Sequence, residues 1–208
     1  NRSTSTPPTS RDRKIYKEVK QKFLQHMREL NIINNDIEAT INKDGEPCHP
    51  DLSELKKTVF EELNKAKNDY GVCLAKGIKI GTEKNDEKTT LKQCEQLFEQ
   101  SNNALEDNDV QAITSWNCGL LSLNEEVTIK NLKDEVVTAN KFFEKSLEKA
   151  TEDSELKANA QKLLDLTNDM SAAESESDSK SSRDAKKKEL QRITVGLEYL
   201  TTDNSERV

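Results

Sequence analysis

The segment CLAKGIKIGTEKNDEKTTLKQC (residues 73–94) dominates the predicted fold because it places a turn between two cysteines. Its middle, GIKIGTEKND (77–86), is rich in polar residues and glycine and indicates a turn, with Gly77 at the C′ position of the preceding helix. If the chain reverses near residues 82–85, Cys73 meets Cys94. The next cysteines outward, Cys48 and Cys118, then meet at the other end. The segment therefore predicts an antiparallel helical hairpin with a cysteine pair at each end.

Helix length selects among the three pairings that the four cysteines allow. Cys48 and Cys73 lie at opposite ends of one predicted helix, about 37 Å apart, whereas the Cα atoms of a disulfide are about 4.4–6.8 Å apart. Pairing Cys48 with Cys94 fails similarly. If both segments are helices, the nested pairing Cys73–Cys94 inside Cys48–Cys118 remains. The alternatives are four reduced cysteines in a cytosolic coiled coil and a zinc site at His49, which lacks a C-x-x-C spacing.

Apolar residues that recur every three or four positions predict helices on both sides of the hairpin. The predicted helices cover 11–42, 51–76, 89–119 with a kink at 106–109, 124–150, 156–170 and 183–199. The first helix takes Ser10 as its N-cap. Its predicted inward face is Tyr16, Val19, Phe23, Met27, Leu30, Ile33, Ile37 and Ile41. The fourth is expected to turn Val127, Leu132, Val136, Phe143 and Leu147 inward.

Composition favours an all-α fold. The chain has 34% charged and 32% hydrophobic residues, which suits thin helices with one apolar stripe each. Only six glycines and four prolines occur, so a sheet with many tight turns is not expected. We predict an elongated bundle of five to six amphipathic helices with a disulfide-stapled antiparallel hairpin. Its parts are a flexible leader (1–10), the helical bundle (11–170), a polar mobile loop (171–182), and a C-terminal helix with a frayed tail (183–208).

Charge and motifs restrict the expected partners. The net charge of −7 argues against nucleic acid as the main partner. No apolar run is long enough to span a bilayer, and no nucleotide-binding, metal-binding or catalytic motif is found, so we expect neither cofactor nor enzymatic activity. Two basic clusters are either solvated helix faces or contacts to an anionic glycan or acidic protein. They comprise Arg11, Arg13, Lys14, Lys17 and Lys20, and Lys186, Lys187 and Lys188.

The predicted disulfides indicate an oxidising compartment and hence a secreted protein. The Ser/Thr/Pro-rich start is interpreted as that of a mature chain after signal removal or of a fragment, and Asn1 opens a glycosylation sequon, Asn1-Arg2-Ser3. Trp116 is expected to pack in the core beside Cys118 or to anchor an interface. The competing hypothesis is an intracellular coiled-coil scaffold or assembly subunit with reduced cysteines.

The segment DRKIYKEVKQKFLQHMRELN (12–31), followed by the cysteine hairpin in a Lys/Glu/Asn-rich chain, resembles the 34-kDa salivary family of culicine mosquitoes. The resemblance is one of composition and layout, and it transfers no site residue. It implies secretion in saliva and non-enzymatic binding of host or mouthpart components that modulates haemostasis or immunity. Helical surface proteins of trypanosomes are similar in layout and provide an alternative.

Overall fold

Six α-helices make up the part of the chain that the structure describes. The computed structural model describes residues 9–43, 50–79, 81–82, 87–104, 108–123, 129–131, 133, 135–151 and 155–175. The helices are α1 (Ser10–Lys43), α2 (Pro50–Lys79), α3 (Glu87–Ala104), α4 (Asn108–Ser122), α5 (Ala139–Lys149) and α6 (Glu155–Ser175). No β-strand occurs within these ranges, so the predicted all-α fold is confirmed.

Helices α1 and α2 form a long antiparallel pair. Opposed residues along their seam are Tyr16 and Gly77, Phe23 and Tyr70, and Glu38 and Lys56. The two aromatic ring centroids are 6.3 Å apart, and the lysine Nζ lies 3.1 Å from the glutamate Oε1. In each pair the residue numbers add to 93 or 94, so one register holds along the helices. With 34 and 30 residues, the pair is about 45–50 Å long.

The seam residues of α1 alternate at spacings of four and three, as in a coiled coil. They are Tyr16, Lys20, Phe23, Met27, Leu30, Asn34, Ile37 and Ile41, all buried or half-buried. Two residues of the predicted inward face, Val19 and Ile33, are instead 38% and 44% exposed. Lys20 and Asn34 take their places because a seam with a 3.5-residue period passes beside these apolar side chains.

Helices α3 and α4 pack beside the second half of α2. The Cys94 thiol donates to the carbonyl of Gly71 at 3.5 Å and the Ser101 hydroxyl to that of Asn64 at 2.8 Å, so α3 runs antiparallel to α2. In the same register Ala104, the last residue of α3, reaches the level of about Glu61. Pro50–Phe60 of α2 therefore lies beyond the end of α3, and Lys56 in this part pairs with Glu38 of α1.

The remaining helices pack in chain order, α4 against α5 and α5 against α6. Trp116 of α4 is buried and packs against Phe143 of α5 with ring centroids 5.6 Å apart and the ring planes tilted by 56°, so the predicted core role of Trp116 is confirmed. The Ser146 hydroxyl donates to the carbonyl of Ala112 at 2.9 Å and ties the same two helices. Leu163 brings α6 into the same core.

Three helix–helix contacts have the same feature: an aromatic ring of one helix packs against a glycine of the other. Phe98 of α3 covers Gly71, Tyr16 of α1 covers Gly77, and Phe143 of α5 covers Gly119. A Cβ at Gly71 would lie 2.6 Å from Cε1 of Phe98, a distance that van der Waals contact forbids. The helices approach this closely because the glycines lack that atom.

The end of α2 differs from its prediction. The sequence predicts Gly77 as the C′ residue, but α2 continues to Lys79 and Gly81 adopts the positive φ of 76°. The Gly81 amide donates to the carbonyl of Ile78 and the Thr82 amide to that of Gly77, both at 3.0 Å. These two bonds make a Schellman motif around Gly81. Gly77 instead lies inside α2, where the ring of Tyr16 packs against it. Gly119, which the sequence predicts to end its helix, likewise lies inside α4.

The predicted helix over 124–150 is wrong in part: of the described residues in this range, Ala139–Lys149 are helical, whereas 129–131, 133 and 135–138 are not. An isolated antiparallel bridge joins Lys130 to Val136, and the Asn131 Oδ1 accepts the amide protons of Lys133 at 2.8 Å and Glu135 at 3.1 Å. This side chain satisfies the backbone of a turn that a helix would otherwise occupy. Val136, predicted to face inward, is 62% exposed.

Other boundaries agree with the sequence or shift by a few residues. Helix α3 ends at Ala104 and α4 begins at Asn108, so the predicted kink at 106–109 falls at the boundary between two helices. Helix α6 extends to Ser175, so the predicted polar loop at 171–182 is helical over its first five residues. The predicted leader, apart from residues 9 and 10, and the C-terminal helix at 183–199 lie outside the described residues.

Gly71→Ala tests the ring-on-glycine contact. Alanine is a better helix former by about 1 kcal/mol, yet we expect the substitution to destabilise the fold by about 1–3 kcal/mol because Phe98 is fully buried and cannot move aside. Urea unfolding followed by circular dichroism measures the change. In a Phe98→Leu background, where the ring is gone, the same substitution should cost less. Equal destabilisation in both backgrounds would contradict the contact.

Candidate binding surface

The N-terminal half of α1 is the most strongly basic surface that the structure describes. Residues 10–26 carry six basic and two acidic side chains, a net charge of +4. Arg11, Arg13, Lys14 and Lys17 are exposed, as a contact with an anionic partner requires. Lys20 differs, because it lies half-buried in the seam with its Nζ 5.9 Å from the centroid of the Tyr16 ring.

A capping box starts this basic helix. The Thr9 Oγ accepts the amide proton of Asp12 at 3.2 Å, and the Asp12 carboxylate accepts the Thr9 amide at 2.9 Å and its hydroxyl at 2.7 Å. The side-chain hydrogen bond from Thr9 lowers the pKa of Asp12. Thr9 is therefore the cap in place of the predicted Ser10, which is the first residue of α1. The cap orders the helix at the point where its basic residues begin.

The structure does not form the predicted inner staple. Cys73 and Cys94 make no disulfide in the structure. The Cys94 thiol donates to the carbonyl of Gly71 at 3.5 Å, on the side of α2 that faces α3. Cys73 follows Gly71 by two positions, a rotation of about 200°. It falls between Tyr70 and Gly77, on the side that faces α1. Cys73 and Cys94 therefore lie at the same level along the helix axes, as predicted, but their positions face different neighbouring helices.

The outer staple, Cys48–Cys118, stays a prediction. Cys48 lies outside the described residues, and Cys118 makes no disulfide in the structure. The Cys118 thiol donates to the carbonyl of Phe98 at 3.6 Å, and the neighbouring Asn117 bonds to Asn68 at the middle of α2. Cys118 is fully buried among these contacts.

A buried polar network between α2 and α4 was missed by the sequence reasoning. The Asn117 Nδ2 donates to the Oδ1 of Asn68 at 2.8 Å, and the Asn68 Nδ2 donates to the Asp69 Oδ1 at 3.2 Å. All three side chains are buried. The available signal was the presence of asparagines in helices at positions that the apolar stripes did not explain.

A second buried polar group lies where α3, α4 and α5 meet. The Asn102 Oδ1 accepts the Ser115 hydroxyl at 2.9 Å and the Lys145 Nζ at 3.3 Å. Burial lowers the pKa of Lys145, and the same low-polarity surroundings raise the pKa of the Cys118 thiol well above its ordinary range, with the lysine charge opposing that rise. A thiol of this kind stays protonated and reacts slowly.

Two observations on the described ranges concern other functional classes. No group of three or more His, Cys, Asp and Glu side chains is placed there to hold a metal ion. None of the described helices combines the length and apolar character that a bilayer crossing requires. The predicted contact residues Lys186, Lys187 and Lys188 and the sequon residue Asn1 lie outside the described part of the chain.

Comparison with known proteins gives no match: no protein-family model, curated protein or solved structure is significantly similar to this chain.

Buried Cys118 predicts a specific loss of stability at alkaline pH. Its pKa is raised on folding, so its contribution is complete below the unfolded pKa of about 8.5 and declines as pH rises above it. Relative to Cys118→Ala, the wild type should lose about 2 kcal/mol of unfolding free energy between pH 7 and pH 10. Urea unfolding at each pH measures this difference.

The control for this measurement is Cys73→Ala, which also removes a thiol but at a half-buried position. A pH dependence in Cys118→Ala that matches the wild type would show that the buried thiol titrates normally and would contradict the assignment.

Proposed function

We propose that this chain is a secreted, non-enzymatic binding protein that contacts an anionic protein or glycan through the basic half of α1. The observation that carries the proposal is the exposure of Arg11, Arg13, Lys14 and Lys17 within a segment of net charge +4, in a chain whose total is −7. Because this charge opposes that of the whole chain, it forms a local field that attracts anions while the remaining surface repels them.

The rigidity of α1 supports the same proposal. Its capped start and its continuous seam with α2 hold the basic side chains on one straight helix, so a partner meets them without ordering a loop first. Less conformational freedom is then lost on binding, which favours affinity. The exposed ends of arginine and lysine supply donors for carboxylate or sulfate groups on the partner.

The extracellular and salivary part of the proposal rests on the resemblance to the mosquito salivary family and on the cysteine count. In that setting the protein acts by occupying a host or mouthpart component and so modulates haemostasis or immunity. The staples Cys73–Cys94 and Cys48–Cys118 stay predictions. For the Cys73–Cys94 disulfide to form, α2 has to rotate about its axis relative to α3 from its position in the structure.

One observation favours a second candidate, an intracellular helical scaffold with reduced cysteines. Cys94 and Cys118 are fully buried, and each thiol donates to a backbone carbonyl of the adjacent helix. Such thiols fill the core as small apolar residues. In this case α1 contacts an acidic protein surface inside the cell.

Charge reversal at Lys14 and Lys17 tests the binding surface. We expect K14E/K17E to weaken binding to heparin, used as an anionic glycan probe, by about tenfold or more, because two attractions become repulsions. Isothermal titration at several salt concentrations measures the affinity and its salt dependence, which should also decrease. The matched control is K88E/K92E, which reverses two exposed lysines on α3. Equal losses in the two variants would overturn the assignment to α1.

Non-reducing peptide mapping of protein from its natural source separates the two cellular settings. The secreted hypothesis expects linked peptides that contain Cys73 with Cys94 and Cys48 with Cys118. Four alkylatable thiols after unfolding would contradict it and would favour the scaffold. In this proposal heparin binding depends on α1 alone, so neither mapping result affects the test of the binding surface.

A further inference from the structure

A second regular stripe runs along α1, outside its seam with α2. It consists of Ile15, Val19, Lys22, His26, Glu29 and Ile33, and we name it the outer stripe. All six residues are exposed, with Ile15 at 48%, Val19 at 38% and Ile33 at 44%. Their spacing alternates between four and three, the pattern that packs one helix against another. Ile15 and Ile33 are five helical turns apart, about 27 Å, and point in the same direction.

We propose that the outer stripe is the contact surface for a second copy of this chain, arranged antiparallel about a two-fold axis. The stripe is symmetric about its own centre: residue pairs 15 and 33, 19 and 29, and 22 and 26 all have the same mean position. When two such stripes lie antiparallel, each residue meets its mirror partner and the same contact occurs twice, as a two-fold dimer requires. Isoleucine meets isoleucine at both ends, and the centre is polar.

Opposite charges on the two halves of α1 favour this arrangement over a parallel one. Residues 10–26 carry a net charge of +4, whereas residues 27–43 carry two basic and three acidic side chains, a net charge of −1. Antiparallel packing places each basic half on the other copy's acidic half, whereas parallel packing places the two basic halves together.

Individual side chains follow the same rule. In the antiparallel register Arg11 lies within one residue of the height of Asp36 in the second copy, and Lys22 lies within one turn of Glu29 in the second copy. Glu18 also comes near that glutamate, but Lys14 neutralises it within its own helix, with the Nζ 3.9 Å from the Glu18 Oε1.

The size of this contact determines the expected affinity. One helix pair in contact over about 27 Å is at the low end of specific interfaces, and its apolar part is limited to the isoleucines and Val19. We therefore expect a weak dimer with a Kd of about 10–100 µM, which forms as concentration rises.

A charge-swap experiment on the full chain tests the arrangement. Sedimentation equilibrium between about 5 and 500 µM should show a monomer–dimer equilibrium for the wild type. K22E and E29K should each weaken the dimer about fivefold or more, because each places like charges opposite one another. An equimolar mixture of the two variants should recover dimer formation, since positions 22 and 29 of the two chains then carry opposite charges in both symmetry-related contacts. Recovery on mixing cannot arise from a fold defect in either variant.

The control is K17E, because Lys17 is two positions from Ile15 and points away from the outer stripe. It should leave dimerisation unchanged while weakening heparin binding, so this inference and the proposed function fail separately. A wild type that stays monomeric at the highest concentration overturns the proposal. A mixture of K22E and E29K that dimerises no better than either variant alone overturns the antiparallel register.

Discussion

Close approach between helices at glycine is the constraint on which the rest of this structure depends. Tyr16, Phe98 and Phe143 each lie on a glycine of the neighbouring helix, and in this way α1 joins α2, α3 joins α2, and α5 joins α4. A chain with 32% hydrophobic residues has little apolar surface for many separate contacts. Large rings in glycine gaps bury much of that surface at few positions and bring the helix backbones close enough for serine and cysteine to reach opposite carbonyls.

The polar side chains inside the bundle complete this arrangement. Once rings set the distance between helices, Ser101 and Asn117 can bond across to α2, and each such bond is satisfied only in one register. A slip by one residue would leave these groups buried without partners, at a cost of about 1–3 kcal/mol each. The buried polar side chains thus reduce the hydrophobic contribution to stability, but they make one helix register more stable than the others.

Sequence periodicity located most helices but not the faces they present. The apolar pattern of α1 predicts Val19 and Ile33 inward because both are apolar and lie near the correct side. In the structure Lys20 and Asn34 lie in the coiled-coil seam instead. The geometry of packing against α2, and not hydrophobicity alone, sets the spacing of the residues that face it. The two apolar residues that remain outside are among those that define the outer stripe. The wrong prediction of the inward face of α1 and the presence of the outer stripe therefore have the same cause.

By itself the sequence determined the all-α class, the break between α3 and α4, the antiparallel course of α2 and α3, and the basic start of α1. These features depend on local propensity, on charge and on the spacing of residues along one chain. Only the tertiary structure decided that Gly81 ends α2 while Gly77 receives a ring, that Asn131 replaces part of a predicted helix with a turn, and that Cys73 and Cys94 face different neighbours. Each of these depends on the rotation of one helix against another, and a separation of two residues, about 200°, reverses a direction that linear spacing cannot distinguish.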